Sequence, residues 1–356
     1  MGRDQYWIGV DLGETSSSIC FLNADNAVSH TQTPGASTRE IAAGLEKVDQ
    51  KCIEAIVLES SAGHKLPREL AALGFPILTV DARLAHKFLS IRSLKTDDND
   101  ARGLAEIAKY GSHSSLRVHI KSVTCEQVRL QLALRDQLLR NKVAARNALR
   151  AHLRTLGSEL TRLPSPTRLH RDLQPEIERM RREGLSEMVP EIVLMMEMVE
   201  ALQACAKRLD IRIKRLAQGY PIVSKFTKIP GVGPITALSF FSAIENPHRF
   251  RRSADVGAYL GLVPGLKQSG SIKRSGRITK AGNKLARGHL YMSAGTIMTR
   301  NRQNTEMGDW ANALHKRIGF SKARVALARK LAVIMLSIWK ADTHFLNYPR
   351  LADVKA

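Results

Sequence analysis

Four acidic residues of this chain are spaced in a way that could hold a divalent cation. Asp11 and Glu59 each lie at the end of an apolar run typical of a buried β-strand, and Asp97 and Asp100 lie one helical turn apart. Carboxylates that meet at one sheet edge repel one another unless a cation compensates them. Hard oxygen ligands of this kind suit Mg²⁺, with Mn²⁺ as the alternative. Beside a basic surface, such a site is suited to phosphodiester chemistry.

The elements that must position these acids alternate between strands and helices. Strands are predicted at 7–11, 17–22, 53–59 and 76–81, and turn-forming residues at 23–26 predict a hairpin after the second of them. Ser37 and Glu40 have capping-box spacing, which predicts a helix start after the hairpin. This order predicts an α/β layer built on a mostly parallel sheet.

A helix is predicted to begin after Thr96, which is a good N-cap residue. On this helix Asp97 and Asp100 share a face with the apolar residues Leu104 and Ile107. Both acids are therefore expected to point toward the sheet, and Asp98 is expected to point elsewhere.

The charge of the chain indicates a polyanionic partner. Its 356 residues include 55 Lys and Arg against 33 Asp and Glu, which gives a formal net charge of +22. A soluble protein this basic usually binds nucleic acid. Aromatic residues make up only 5% of the chain, so contacts to the phosphate backbone are expected to dominate over base stacking.

Cysteine usage and hydropathy narrow the class of protein further. Cys20, Cys52, Cys125 and Cys205 lie far apart with no CxxC pair, which is typical of buried thiols in a reducing compartment. No apolar run reaches the ~18–20 residues of a transmembrane helix, so no membrane partner is expected. The N-terminus leads directly into the first strand without a signal peptide, so the cytosol is the expected location.

The middle of the chain predicts two long amphipathic helices. Leucines recur from about 122 to 163, and a second apolar stripe runs from about 190 to 217. The two helices are predicted to pair as an antiparallel, coiled-coil arm. Arg146, Arg150 and Arg154 form an i, i+4 stripe, which is either a nucleic-acid contact or a solvated helix face.

The last third of the chain contains basic motifs with glycines. Residues 228–234 resemble a helix–hairpin–helix turn, whose backbone N–H groups can hold a phosphate. Acidic residues, which would repel phosphate, are absent from 257–286, and a basic loop is predicted at 273–277. The residues predicted to bind nucleic acid are Lys228, Gly231, Gly233, Lys273, Arg274, Arg277, Lys280 and Lys284, together with Arg146, Arg150 and Arg154 on the arm.

These motifs carry a resemblance to a known family. The strand–hairpin–helix–strand order with its acids resembles the RNase H-like (RuvC-type) nuclease fold. Over nearly its whole length, the chain is similar to DEDD-type transposases of the insertion-sequence-110 family. The resemblance rests on Gly9-Val10-Asp11, Leu58-Glu59-Ser60, Lys95-Thr96-Asp97-Asp98-Asn99-Asp100-Ala101, Ile229-Pro230-Gly231-Val232-Gly233, Leu260-Gly261-Leu262-Val263-Pro264, Gln268-Ser269-Gly270 and Lys280-Ala281-Gly282-Asn283.

The resemblance implies three parts. They are an α/β RuvC-like DEDD domain at 1–118, a helical coiled-coil arm at 119–219, and a mainly α-helical transposase domain at 220–356 with the helix–hairpin–helix-like turn. Asp11, Glu59, Asp97 and Asp100 would be the catalytic, Mg²⁺-binding quartet.

The resemblance also implies a mechanism. A serine of the C-terminal domain would attack double-stranded donor and target DNA through a phosphoserine intermediate. Ser269 matches the motif best, with Ser271 and Ser275 close by. A noncoding guide RNA encoded by the element would pair with both DNAs. The quartet and the serine would come from different protomers of a homodimer, with a dimer of dimers on DNA.

Three other functions are consistent with parts of the sequence. A Holliday-junction-type nuclease would need only the four acids. Residues 11–16 also resemble the first phosphate-binding hairpin of sugar kinases and actin-like ATPases, but no second glycine-rich phosphate loop follows. A non-catalytic nucleic-acid-binding protein would leave the spacing of the acids without a purpose.

Overall fold

The computed structural model describes residues 4–60, 63–90, 96–111, 117–269, 272–300 and 306–345, with the backbone alone at 266–269 and 272–275. The chain divides into two compact units, Met1–Ser122 and Val123–Ala356. The finer division into three parts stays a prediction. Among the described residues, no helix combines the length and the apolar character needed to cross a membrane.

The first unit is a five-stranded sheet with helices on both faces. Its strands are β1 (Tyr6–Leu12), β2 (Ser17–Asn23), β3 (Val28–Thr33), β4 (Ile53–Glu59) and β5 (Ile77–Val80), in the order β3-β2-β1-β4-β5. Its helices are α1 (Thr38–Leu45), α2 (Lys65–Ala72), α3 (Ala82–Leu89) and α4 (Asp97–Tyr110), with a 3₁₀ turn at Gln50–Cys52.

The sheet is mixed, so the expectation of a mostly parallel sheet is wrong. Strands β1, β2 and β3 pair antiparallel, whereas β4 is parallel to both β1 and β5. The short turns that join the first three strands force antiparallel pairing, and only the later connections through helices allow parallel pairing. The predicted hairpin between β2 and β3 and the capping box of α1 at Ser37 and Glu40 are confirmed.

The two faces of the sheet bury different residues because side chains alternate along a strand. One face packs with α1 and α2, and its core includes Ile8, Val10, Ile19, Ile56, Leu58, Ile41, Leu45, Leu66 and Leu70. The other face packs with α4, and its two clusters include Trp7, Ala55, Val57, Val80, Leu104 and Ile107, and Cys20, Leu22, Ala101 and Ala105.

The second unit is mainly α-helical with one β-hairpin. Its longest helices are α5 (Val123–Thr155) and α8 (Val189–Gln218), with α6 (Leu169–Asp172) and α7 (Gln174–Arg182) between them. The others are α9 (Pro221–Phe226), α10 (Pro234–Ile244), α11 (Val256–Tyr259), α12 (Lys284–Thr299), α13 (Glu306–Ile318) and α14 (Phe320–Ala341). The hairpin is β6 (Pro264–Ser269) and β7 (Ile272–Ile278), and 3₁₀ turns lie at Pro166–Arg168, Ser186–Met188, Pro247–Arg249 and Ser253–Asp255.

The two long helices pack antiparallel, as predicted. Arg135 of α5 is ion-paired with Asp210 of α8 at 2.5 Å, and further along Lys142 of α5 donates to Gln203 at 2.9 Å. Residue numbers rise on one helix while they fall on the other. However, α5 ends at Thr155, so its predicted extension to residue 163 is wrong. The chain turns at Gly157, whose φ of +84° is incompatible with a continued helix.

The base of the arm shares a core with the C-terminal helices. Leu132 of α5 and Ile213 of α8 belong to the same buried cluster as Phe226, Phe240 and Leu331. The start of α5 and the end of α8 are therefore packed into the same core as the C-terminal helices.

Candidate active site and nucleic-acid-binding surface

The register of the sheet places Asp11 next to Glu59. Val10 pairs with Leu58 in the parallel β1–β4 ladder, and the two acids are the next residues at the same edge. Alternation along the strands puts both acids on the face that packs against α4, because Trp7 and Val57 lie on that face. Both side chains are half-buried. Two of the predicted acids thus share one edge and one face.

Gly9 allows α4 to approach β1 at backbone distance. A Cβ atom built on Gly9 would lie 2.8 Å from the carbonyl carbon of Leu104 and would overlap the carbonyl oxygen of Ala101. Only glycine leaves room for this approach. The close contact fixes the start of α4 against the middle of β1.

The direction of α4 brings its first turn to the edge that carries Asp11. Ser18 pairs with Asp11 across β1 and β2, and its hydroxyl donates to Asp98 Oδ1 at 2.5 Å. At the other end of α4, the Lys109 ammonium donates to the Asn23 carbonyl oxygen at 2.7 Å, at the opposite end of β2. The helix therefore runs antiparallel to β1, and Asp97 and Asp100 begin at the edge of Asp11 and Glu59.

The expectation that Asp98 points away from the sheet is wrong. Its carboxylate accepts from Ser18 and lies 3.9 Å from His30 Nδ1. Helix α4 contacts the sheet along two stripes, and Asp98 continues the stripe of Ala101 and Ala105 that packs on β2. These small residues at helical spacing were the signal that sequence reasoning missed.

The N-terminal turn of α4 is a favourable place for acids. The Thr96 hydroxyl accepts from the Asn99 N–H at 3.2 Å, which confirms the predicted cap. Three aspartates occupy this turn. The partial positive charge of the helix N-terminus stabilises them, which offsets part of their mutual repulsion.

A further carboxylate at this edge, Asp81, already has partners. It caps α3 by accepting from the Arg83 N–H at 2.9 Å, and the Arg83 guanidinium donates to both of its oxygens. The hydrogen bond from Arg83 holds the pKa of Asp81 below its ordinary value. Asp81 therefore acts as a charged helix cap and is not grouped with the predicted quartet.

Asp11 and Glu59 lie at the edge where α4 begins, but Asp97 is exposed and Asp100 half-buried, so the four acids do not form a finished metal site. Within the described residues, no group of three or more His, Cys, Asp or Glu side chains is arranged to hold a metal ion. Their oxygen donors nonetheless match a hard divalent cation by type. We call Asp11, Glu59, Asp97 and Asp100 the acid edge.

The β6–β7 hairpin carries the predicted serine. Pro264 pairs with Ile278 at its base, and Ser269 pairs with Ile272 at its tip, where Ser269 is the last residue of β6. The basic segment with Lys273, Arg274 and Arg277 lies in β7, so the predicted loop there is a strand. Ser275 also lies in β7, and Gly270 and Ser271 fall outside the described residues.

Two glycine-containing motifs meet at the base of this hairpin. Gly261 and Gly282 have φ values of +67° and +69°, and each stands against the backbone of the other's segment. The Lys280 N–H donates to the Gly261 carbonyl oxygen at 3.2 Å, and the Arg287 guanidinium ties the carbonyl oxygens of Leu260 and Ala281 at 3.0 and 2.7 Å. The segments around Gly261 and Gly282 thus pack together at the base of β6 and β7.

The helix–hairpin–helix-like turn joins α9 and α10, as predicted, but its glycines differ in role. A Cβ on Gly231 would lie 2.6 Å from Ile297 of α12, so Gly231 serves internal packing. Gly233 has open space and forms the N-cap of α10. Lys228 is exposed. Gly233 and Lys228, rather than Gly231, are placed to meet a ligand.

The basic residues predicted to bind nucleic acid differ in exposure. Arg150, Arg154, Lys280 and Lys284 are exposed. Arg146 instead donates to the carbonyl oxygens of Pro164 and Leu163 at 2.9 and 3.2 Å, and burial lowers its pKa. Arg146 therefore holds the chain after α5 in place, and its predicted role in binding nucleic acid is not supported by this geometry.

Two family models match the chain, one over the acid edge and one over the hairpin with Ser269. The model of the DEDD domain of IS110, described as a transposase, matches residues 8–157, which include the acid edge. The model described as the transposase IS116/IS110/IS902 family matches residues 223–307, which include the hairpin with Ser269.

Proteins that are similar to this chain over nearly its whole length are named as transposases. The transposase for insertion sequence element IS1111A of Coxiella burnetii is 28% identical over 351 residues, covering 97% of this chain and 92% of the relative. The transposase for insertion sequence element IS1328 of Yersinia enterocolitica is 26% identical over 351 residues, covering 95% and 98%. The chain therefore belongs to the IS110 family of transposases, enzymes that cut and rejoin DNA.

Proposed function

We propose that this transposase cuts and rejoins the donor and target DNA of an insertion sequence with two sets of residues: the acid edge and Ser269. The observation that carries the proposal is the common edge and face of Asp11 and Glu59, together with the start of α4, which bears Asp97 and Asp100, at that same edge. An antiparallel meander of three strands followed by two parallel strands supports the proposal of an RNase H-like domain.

The acid edge is proposed to bind Mg²⁺, with Mn²⁺ as a substitute. Carboxylates are the donors that these ions prefer, and the DEDD family match implies a divalent metal. When bound, the ion would polarise the scissile phosphate. The chain's own part is to fix the donors: strand register holds Asp11 and Glu59, and the Gly9 contact together with the Ser18–Asp98 hydrogen bond holds the first turn of α4.

Ser269 is proposed as the nucleophile. Its hydroxyl oxygen would bond to phosphorus as the bond from phosphorus to the 3′ oxygen breaks, and that oxygen would leave as a 3′-OH with a proton. The DNA would stay attached to the serine through its 5′ phosphate. A 3′-OH of another strand would then attack the phosphoserine and release the serine, so that the number of phosphodiester bonds is restored.

Guidance by a noncoding RNA of the element and assembly as a dimer of dimers belong to the same proposal. They rest on the family resemblance, and the net charge of +22 is compatible with a second polyanion besides DNA. In such an assembly the acid edge and Ser269 of different protomers would form one centre, so that cleavage would depend on assembly.

A covalent-adduct experiment tests this proposal. The full-length protein, purified with its copurifying RNA, is incubated with Mg²⁺ and nicked suicide substrates made from the ends of the element, and the protein–DNA adduct is measured on a denaturing gel. We expect Ser269→Ala to form no adduct and Asp11→Asn to neither cleave nor form adduct. Ser275→Ala is the matched control and should keep the adduct.

Two outcomes would contradict the proposal in different ways. An adduct that persists in Ser269→Ala would move the nucleophile to another serine. Cleavage that persists in Ser269→Ala without any adduct would favour the Holliday-junction-type nuclease, which needs the acid edge alone.

A further inference from the structure

A basic groove lies beside the base of the β6–β7 hairpin, in the second unit. Its volume is about 1240 Å³, and it is bounded by the hairpin, α13 and α14. This exceeds the ~300–1,000 Å³ typical of small-molecule pockets. Its cationic residues are Arg277, Lys280, Lys322, Arg329 and Lys330, and we call these five residues with Trp310 the basic groove.

The cations of the groove have no acidic partners among the residues that the structure describes. None of the groove's lining residues is Asp or Glu, and none of the five cations forms an ion pair with a described carboxylate. Like charges crowded in one groove repel one another, so the arrangement favours a polyanionic ligand.

Trp310 gives the groove an aromatic wall. Trp310 is 38% exposed, and the Lys330 ammonium lies over one face of its ring, 4.4 Å from the ring centre. The rest of the lining includes the apolar residues Leu262, Val325 and Val333. A cation on one face of an aromatic ring leaves the opposite face for an unpaired base to stack on, while the phosphates of the same strand bind the neighbouring cations.

Arg329 is held in position by close packing. A Cβ on Gly257 would lie 2.9–3.2 Å from the Nε, Cγ and Cδ atoms of Arg329, so the arginine stem lies flat on the backbone of α11. The guanidinium is thus presented with little conformational freedom left to lose on binding.

We propose that the basic groove binds a short single-stranded stretch of nucleic acid, with one base stacked on Trp310 and the neighbouring phosphates on the five cations. A base inside a duplex could reach Trp310 only after leaving its stack, so the groove should prefer single strands. The sequence led us to expect phosphate contacts without a stacking platform, and Trp310 departs from that expectation. The inference relies on the proposed function only for the choice of nucleic acid as the polyanion.

Oligonucleotide titration of the full-length protein tests this inference. An eight-nucleotide oligo-dT, the matching oligo-rU and an eight-base-pair duplex are each titrated, with tryptophan fluorescence and fluorescence anisotropy as readouts. We expect the single strands to quench Trp310 and the duplex to leave it unchanged. The ratio of the oligo-dT and oligo-rU affinities identifies which strand, DNA or RNA, the groove prefers.

Three variants decide the outcome. Trp310→Ala should weaken single-strand binding by about 5- to 150-fold, the range of one stacked base, and Trp310→Phe should restore most of it. Lys322 is exposed, so Lys322→Ala should not disturb the core. It should reduce the slope of log K against log salt concentration by ~0.7, the value for one lost phosphate contact to a single strand. Lys316→Ala removes an equal charge from α13 outside the groove and should change neither value.

Equal affinity of Trp310→Ala, Lys322→Ala and Lys316→Ala for oligo-dT and oligo-rU would overturn the inference, as would equal quenching by the duplex. Should Trp310→Ala fail to fold, Lys322→Ala against Lys316→Ala still decides it. Asp11→Asn should bind the oligonucleotides normally although it cannot cleave. Failure of the groove and failure of the proposed catalytic site are therefore distinguishable.

Discussion

The acid edge of the first unit and the basic groove of the second are opposite in charge and different in construction. The acid edge is placed by strand register and one helix turn, with Asp11 and Glu59 at adjacent strand ends. The basic groove is assembled from a hairpin and two helices that are up to about fifty residues apart in the chain. Both concentrate like charges, and each is therefore suited to a ligand of the opposite sign.

The comparison shows that close backbone packing serves both sites. Gly9 admits α4 to the acid edge, and Gly261 and Gly282 support the hairpin that borders the groove. In each case the glycine has no functional side chain of its own. It allows two backbone segments to pack closely, and this packing positions the functional side chains of neighbouring residues. The most severe way to break either site is thus a methyl group at its glycine.

Glycine substitutions should break the two sites separately, with the largest effects. Gly9→Ala would drive Cβ into α4 and should destabilise the first unit by about 3 kcal/mol or more. Gly261→Ala adds backbone strain at φ +67° and a clash with residue 281 in the second unit. We expect Gly9→Ala to abolish cleavage while keeping oligonucleotide binding, and Gly261→Ala to weaken oligonucleotide binding.

Denaturant unfolding, the cleavage assay on suicide substrates and the oligonucleotide titration measure these changes. Gly288→Ala is the control, because its Cβ meets open space on α12, and it should stabilise the protein by up to about 1 kcal/mol. A Gly9→Ala protein that is as stable as the unchanged chain would refute the close approach of α4 to β1.

Protonation of His289 should lower the free energy of unfolding of the second unit in acid. Burial, together with the charge of Arg135, lowers the pKa of His289 to about 4, and its Nδ1 is buried without a hydrogen-bond partner among the described residues. Between about pH 6.5 and 4 the unfolded chain binds a proton at this site that the folded chain does not. Stability should therefore fall as the pH drops through this window, by about 3 kcal/mol in total.

His289→Gln should flatten the pH dependence of unfolding between these values. His248→Gln is the matched control, because His248 is exposed, and it should leave the dependence in place. An unchanged pH profile in His289→Gln would show that His289 is not the group that titrates.

A smaller effect should distinguish Asp98 from the four acids beside it. Ser18→Ala removes the hydrogen bond to Asp98 and should loosen the first turn of α4 by about 1 kcal/mol, with a fall in cleavage of about tenfold. Asp98→Asn keeps an oxygen that can accept from Ser18, so it should cleave nearly normally, whereas Asp98→Ala should behave like Ser18→Ala. DNA cleavage rates at saturating Mg²⁺ measure this, and an inactive Asp98→Asn would add Asp98 to the metal-binding acids.

The positions of Asp11 and Glu59 could be predicted from the sequence because strand ends and strand alternation are local features. The helix start with Asp97 and Asp100 could be predicted from the Thr96 cap. The grouping of the four acids in one site stays a prediction. The prediction for Asp98 was wrong because α4 packs on the sheet along two stripes of its own residues. The sequence showed the stripe of Leu104 and Ile107, but not the stripe of Ala101 and Ala105 that Asp98 continues.

The groove could not be predicted in the same way. Trp310 and Lys330 come together only through the packing of α13 on α14, and nothing near Trp310 in the sequence indicates that contact. Arg146 looked identical to Arg150 and Arg154 in the i, i+4 stripe, and only the position of Leu163 and Pro164 distinguishes it.

Calorimetric titration of the full-length protein with Mn²⁺ tests the central claim most directly: that the four acids form one cation site. Asp11→Asn, Glu59→Gln, Asp97→Asn and Asp100→Asn should each weaken Mn²⁺ binding by more than about tenfold, because each removes a charged donor. Asp98→Asn and Ser269→Ala should bind Mn²⁺ as the unchanged protein does. Mn²⁺ binding that is as tight in Asp11→Asn and Glu59→Gln as in the unchanged protein would contradict the claim.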